Sequence, residues 1–351
     1  MHIIEKKLSY LIIGGAGFVG SNLIKKLIQY DTGQIVCVDN LLSSEKENLQ
    51  ENQSINFIKG SIANKGVLDQ IRDEYDFIFH LATFHGNQNS IFDPISDHEN
   101  NMLTTLKLFN HVKNFKRIKK IVYSGAGCAV AKKTWDDTEA TNEDAPLDIQ
   151  MDSPYSISKI IGEFYSVYFY NHYKLPIVRA RFQNVYGPGE ILGAGKWRGT
   201  PATVWRNVVP TFIYKALNGE SLPLENEGLS SRDFIFVDDI VNGLILCALN
   251  GDPGDVYNLA TGKEILIKDL ANTINTLTGN HTPHLLLPRR VWDNSGRRYG
   301  STEKSLQKLK FEAITSIDEG LRNTVEWTKS NIDFINKNIK KHSRYLNQKS
   351  K

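Results

Sequence analysis

Residues 10–20 read YLIIGGAGFVG, and this stretch decides the fold. Tyr10–Ile13 is a short apolar run of the kind buried on both faces of a parallel sheet. Gly14, Gly17 and Gly20 follow in a G-x-x-G-x-x-G pattern. The next residues, SNLIKKLIQY, carry Leu23, Leu27 and Ile28 at helical spacing. Glycines between a strand and a helix permit a tight turn and let the backbone approach a pyrophosphate. The helix adds free N–H groups and the positive end of its dipole. Phe18 and Val19 belong to the same turn and are further contact candidates. A second strand, QIVCVDN, ends at Asp39, about 20 residues past the last glycine, as a dinucleotide-binding unit requires. A carboxylate there accepts both ribose hydroxyls of an adenosine and repels a 2′-phosphate, which predicts NAD rather than NADP.

Outward from this unit, apolar runs alternate with helical patterns: INFIKG, NKGVLDQIRDEY, DFIFHLAT, MLTTLKLFNHVKNF and KKIVYSG. Such alternation predicts an α/β fold, a Rossmann-type doubly wound parallel sheet with helices on both faces. LPIVRARFQNVYGPG reads as a further strand leaving the sheet at Tyr186–Gly189. The Gly-rich residues 187–205, a helical NVVPTFIYKALNG and a return to strand and helix in SRDFIFVDDIVNGLILCALNG follow. The reading is therefore an NAD-binding domain over 8–186 with a return segment near 234–262. A smaller, interleaved α/β substrate domain takes 187–233 and 263–335. The basic residues 336–351 read as a frayed tail.

Composition narrows the function. The net charge is only +3, which gives no broad field for nucleic acid. Cys37, Cys128 and Cys247 have neither metal-ligand nor disulfide-framework spacing, which suits a reducing compartment. No metal site is expected. The N-terminal apolar run is too short for a signal peptide, and no stretch approaches a membrane span, so the expectation is a cytoplasmic protein.

DSPYSISKIIGEF opens like a helix, with Ser153 as N-cap and Pro154 at the first helical position. Tyr155 and Lys159 then share a face. A tyrosine with a pKa of about 10 is a poor base at neutral pH, but an adjacent ammonium stabilises its phenolate. With these residues in place, the chain resembles the extended short-chain dehydrogenase/reductases. The group is the NAD-dependent epimerase/dehydratase family that acts on nucleotide-diphosphate sugars. The segments GGAGFVG, VDN, HLAT, YSISK, RFQNVYGPGE, SRDFIFVDDIV and VYNLATG carry the resemblance.

The resemblance implies roles. Gly14, Gly17 and Gly20 hold the NAD pyrophosphate, and Asp39 and Asn40 the adenosine end. Ser61 and Ile62 stand where the family has an Asp and an aliphatic residue around adenine. Leu81, Ala82 and Thr83 line the cofactor, and Asn101 lies near it. Tyr155 is the acid/base, and Lys159 binds the nicotinamide ribose and lowers the Tyr155 pKa. Asn184 faces the sugar diphosphate, and Arg232 grips it, with Arg297 or Arg298 assisting. The aromatic helix IIGEFYSVYFYNHY pairs across a homodimer.

The segment SGAGCAV (124–130) discriminates between reactions. In register with the strand IVYS, the family's Ser/Thr position is Ala126. Gly127 and Cys128 fall where sugar 4,6-dehydratases carry an Asp-Glu pair, and nucleotide-sugar decarboxylases carry a Glu at the Cys128 position. Both of those reactions are therefore disfavoured. A C4 epimerase resembling UDP-glucose 4-epimerase is the leading reading, with Ser124 replacing the missing hydroxyl if the loop is shifted. The alternative is a 3,5-epimerase or C4 reductase in which Cys128 is the acid/base and Lys196 or Arg198 its cationic partner. An alternative of another class is a non-catalytic NAD-binding protein.

Overall fold

The computed structural model describes residues 8–30, 33–131, 134–294 and 296–347, with the Cys128 side chain outside the description. β1 (Tyr10–Ile13), fully buried, turns through the glycines into α1 (Phe18–Ile28). β2 (Ile35–Asp39) and β3 (Ile55–Lys59) lead to α2 (Lys65–Leu68), a single turn in place of the longer helix the sequence pattern indicates. β4 (Phe77–His80) is followed by α3 (Asn87–Phe92) and α4 (Pro94–Asp97). A π-helical stretch at His98–Leu103 then runs into α5 (Thr104–Val112). β5 (Lys120–Ala126), α6 (Gly127–Val130), α7 (Pro154–Tyr173) and β6 (Ile177–Phe182) complete the first half.

Six of these strands and a late one form a seven-stranded sheet in the order β11-β6-β5-β4-β1-β2-β3, all pairs parallel. Between β6 and β11 the chain makes β7 (Asn184–Tyr186), α8 (Val208–Leu217), β8 (Pro223–Glu225), β9 (Ser231–Arg232), β10 (Phe234–Phe236) and α9 (Val237–Asn250). β11 (Val256–Leu259) then returns to the open edge of β6. β10 pairs with β7 rather than with the main sheet.

One face of the sheet packs Ile12, Cys37, Phe79 and Val178 against Leu23 and Leu27 of α1 and Leu244 and Cys247 of α9. The other packs Ile13, Ile78 and Ile121 against Leu108 and Phe109 of α5 and Phe169 of α7. Burial of this apolar surface on both faces is the main stabilising term. A separate cluster joins Phe212, Ile213, Leu224, Phe236, Ile274 and Leu321. It holds the second lobe together through β12 (Ile265–Leu266), α10 (Ile267–Thr278) and α12 (Ile317–Ser330); β13 (Leu285–Leu287) pairs with β8, and α11 (Glu303–Leu309) packs Leu309 into the core of the main sheet.

The frayed tail is corrected as far as residue 347. α13 (Ile332–Lys340) and α14 (Ser343–Leu346) cover the 191–197 loop, with Ile335, Asn338 and His342 buried. His342 bonds the Gly193 carbonyl at 2.9 Å, and Tyr345 stacks on Trp197 with ring centroids 4.7 Å apart. Apolar contact of this kind outweighs the polar composition that made the segment read as solvated. None of the described helices is long and apolar enough to cross a membrane, and no metal-binding cluster occurs among the described residues.

Candidate functional site

A cleft of about 420 Å³ opens at the carboxyl ends of the strands, where parallel α/β sheets bind ligands. Its floor is the β1–α1 turn. Gly14 has φ +82°, and a Cβ there would stand 2.5 Å from the Ala82 nitrogen. A Cβ at Gly20 would collide with the Gly14 carbonyl. The two glycines thus let turn, helix and β4 end close on one another. Gly17 is the N-cap of α1 and offers no capping side chain, and no acidic residue occupies the first turn. The amino end of the helix therefore faces the cleft uncompensated, as an anion requires. Phe18, Val19 and Gly20 line the cleft there.

At the end of β2, Asp39 is buried and faces the same cleft. Its carboxylate accepts from the Ala16 N–H at 3.0 Å, the Leu41 N–H at 2.8 Å and the Ser44 hydroxyl at 2.9 Å. Burial still raises its pKa, because desolvation exceeds the gain from these donors. Two ribose hydroxyls are the donors that would complete it. Asn40, Ser61, Ile62, Leu81, Ala82 and Thr83 also line this end. Asn101 lies behind the wall instead. It accepts from the Phe84 N–H at 2.7 Å and the Thr83 hydroxyl at 3.1 Å, and donates to Asp97 at 2.7 Å. It positions the 83–84 segment.

Tyr155 and Lys159 reach the cleft from α7, whose Ser153 side chain caps the Ser156 N–H. The Lys159 ammonium donates to the Ser124 carbonyl at 2.9 Å and lies 5.9 Å from the Tyr155 ring centre. Opposite them stands Ala126, the last residue of β5. The shifted loop that would carry Ser124 into this place is not seen, since β5 pairs with β6 regularly through Ser124↔Ala180 and Ala126↔Phe182. Ser124 lines the cleft from its own place in the strand, where its hydroxyl accepts from the Lys159 ammonium at 3.4 Å and donates to the His80 carbonyl at 3.0 Å. Cys128 sits in α6, and its side chain lies outside the described residues. The small residues around it have packing reasons. A Cβ at Gly125 would stand 2.7 Å from Glu163, which pairs in the interior with Arg181 at 2.9 Å. A Cβ at Gly127 would collide with the Gln183 amide.

The far end of the cleft is cationic. Arg232 and Arg298 line it with Asn184, and Arg232 donates to the Ser231 and Gly296 carbonyls at 2.6 and 2.8 Å. Three predicted cations lie elsewhere. Arg297 makes a two-pronged pair with Glu264 at 2.7 and 2.9 Å and reaches Asp137 at 3.1 Å. Arg198 is buried beneath the 42–43 loop, donating to the Leu42 carbonyl and Ser43 hydroxyl. Lys196 is exposed outside the cleft. Arg206, Glu190, Asn207 and Gln183 line the cleft and were missed in the sequence. Gln183 lies inside the quoted RFQNVYGPGE, so the signal was present as a polar residue at a strand end.

Residues 10–260 match the NAD dependent epimerase/dehydratase family. The chain belongs to this family. As a member it takes NAD as cofactor, and the glycine cradle, the open helix end and Asp39 fit that dinucleotide. The fold superposes on the Bordetella bronchiseptica enzyme WbmF in complex with NAD+ and UDP, with a TM-score of 0.86. Sequence identity to it is 55%, over 97% of this chain and 98% of that one. UDP-glucose 4-epimerase from Thermotoga maritima, solved with UDP-glucose, is 29% identical over 93% of this chain and all of its own, with a TM-score of 0.83. A trifunctional UDP-glucose 4,6-dehydratase/3,5-epimerase/reductase of Arabidopsis thaliana is 28% identical over 93% of this chain. This chain spans only 48% of that protein's length.

Proposed function

We propose that the chain is an NAD-dependent epimerase that inverts C4 of a nucleotide-diphosphate sugar through a 4-keto sugar. The observation that carries this reading is the wall facing Tyr155. It holds Ala126, and the next residue in the chain, Gly127, offers no carboxyl group to expel water. Elimination needs such a group; reversible oxidation at one carbon needs only a base and a hydride carrier. NAD, when bound, supplies the hydride acceptor and returns what it took.

The chain's own residues supply the rest. Tyr155 takes the proton of the sugar hydroxyl and gives it back. Lys159, anchored on the Ser124 carbonyl, stabilises the phenolate. Arg232 and Arg298 hold the diphosphate while the sugar turns over. A UDP sugar is the substrate class favoured, on the strength of the relatives solved with UDP and UDP-glucose. Tyr155→Phe tests the mechanism: turnover should fall about 10²–10⁴-fold while NAD content and UDP affinity persist. Full turnover in that variant would sink the proposal.

A homodimer is part of the same reading. Ile157, Phe164, Tyr168 and Tyr173 are exposed along α7, an apolar face that a second copy would cover. Sedimentation as a monomer would argue against it.

A further inference from the structure

Ala126 carries no hydroxyl at the end of β5, and the Ser124 hydroxyl, 3.4 Å from the Lys159 ammonium, is directed to the His80 carbonyl; the structure offers another donor one residue along the neighbouring strand. β5 and β6 stay paired as far as Ala126 and Phe182. The next residues, Gly127 and Gln183, therefore stand side by side where the sheet opens into the cleft. The Gln183 side chain is seated between two glycines from distant segments. A Cβ at Gly127 would collide with its Nε2, and one at Gly300 would lie 2.7 Å from it. Gln183 lines the cleft together with Ala126, Tyr155 and Lys159. Among the described residues no group hydrogen-bonds its carboxamide. A half-buried amide that lines the cleft and is not engaged by another described residue keeps its donors available to a ligand.

We propose that Gln183 is a catalytic residue, its Nε2–H donating to the sugar oxygen on which Tyr155 acts, in place of the hydroxyl absent at Ala126. The assignment rests on the C4 epimerase reading. It adds no bond-making step. Tyr155 takes the hydroxyl proton as the carbon-bound hydrogen leaves with both C–H electrons as a hydride, for which NAD would be the acceptor, and the amide donates to the oxygen as negative charge gathers there. A donor aimed at developing charge favours the transition state over the ground state. A carboxamide does not ionise between pH 6 and 9, so its contribution does not vary with pH there.

The test uses the NAD-loaded full chain as wild type, Gln183→Leu, Ala126→Ser and the double variant. UDP-galactose, UDP-glucose and UDP-N-acetylglucosamine are the probes. Single-turnover absorbance follows reduction of bound NAD, NMR follows inversion at C4, and calorimetry follows UDP binding. Gln183→Leu should slow NAD reduction about 10²–10³-fold at every pH from 6 to 9, with UDP affinity within about twofold of wild type. Ala126→Ser in that background should recover at least about tenfold, since it restores a donor at the neighbouring position. Reduction at the wild-type rate in Gln183→Leu overturns the assignment, and so does a double variant as slow as the single one. A wild type that reduces its NAD without inverting C4 overturns the epimerase reading alone, and Gln183 is then judged on the reduction step. A wild type that reduces no NAD with any probe overturns both.

Discussion

Asp39 and Gln183 face the same cleft from opposite walls, and their surroundings differ. Asp39 already takes three hydrogen bonds, two from residues 41 and 44 close to it in the chain and one from Ala16 in the glycine turn. Gln183 takes none among the described residues, and its seat depends on Gly127 and Gly300. Two other residues that line the cleft share this trait: the Glu190 Oε2 and Arg206 Nε atoms are buried and unpartnered among the described residues. The cofactor wall is organised by its own backbone before any ligand arrives. The opposite wall leaves polar atoms incomplete, and its final arrangement is set by what binds. Polar groups left this way cost stability and supply specificity when a matching ligand satisfies them.

The comparison is sharpest at Asp39. Asp39→Ala should weaken NAD binding about 30–100-fold, since it removes a charged acceptor, and should raise the preference for NADP. Titration with both dinucleotides measures it, and an unchanged NAD affinity would break the contrast between the walls. On the opposite side, Arg232→Leu should raise KM for the UDP sugar about 10–50-fold while kcat and NAD content hold, the behaviour of a group that grips the diphosphate equally in ground and transition states.

Glu190 gives a smaller effect with a defined sign. Burial pushes its carboxyl up to about 7, with Arg206 and Asn207 offsetting only part of the penalty. A free glutamate titrates near 4.3, so between about pH 4.5 and 7 the folded chain holds a proton that the unfolded chain has lost. Stability should therefore fall as pH rises through that window and level off above it. Glu190→Gln should remove this slope and leave the variant more stable above pH 7, by an amount on the order of 3–4 kcal/mol. Thermal melts across pH 5–8 read it directly; matching slopes in both proteins would discard the account. The smallest effect belongs to Lys196→Ala, which should leave kcat and KM within about twofold of wild type, as expected for an exposed side chain outside the cleft.

These differences also explain what could be read from the chain alone. The β1–α1 turn and the α7 pair are local: Gly14 to Asp39 and Tyr155 to Lys159 are fixed by short spacings that only a few backbone geometries satisfy. The cations were harder. Arg232 and Arg297 look alike in a sequence, and only the fold shows that Glu264 and Asp137 engage the latter. Lys196 and Arg198 were assigned as cationic partners of Cys128 through the family resemblance, yet their loop packs under α13 and α14 and over residues 42–43. Gln183 depended on glycines far from it, a relation no local pattern records. The reading at Ala126, by contrast, needed only the strand's register, and β5 stays paired with β6 as far as that residue.

The late arrival of β11 has a consequence for how the molecule is made. A nascent chain has synthesised six of the seven sheet strands once Phe182 has emerged, yet the outer edge of β6 stays open until Val256–Leu259 is delivered. Everything from β7 to α9 must be translated in that interval. Until then β6 presents an unpaired row of N–H and C=O groups, a template for pairing with any other strand at hand. A fragment ending after β6 would carry every glycine of the cofactor turn and still expose that edge, so pieces cut from this protein are expected to aggregate unless the β11 segment is supplied with them.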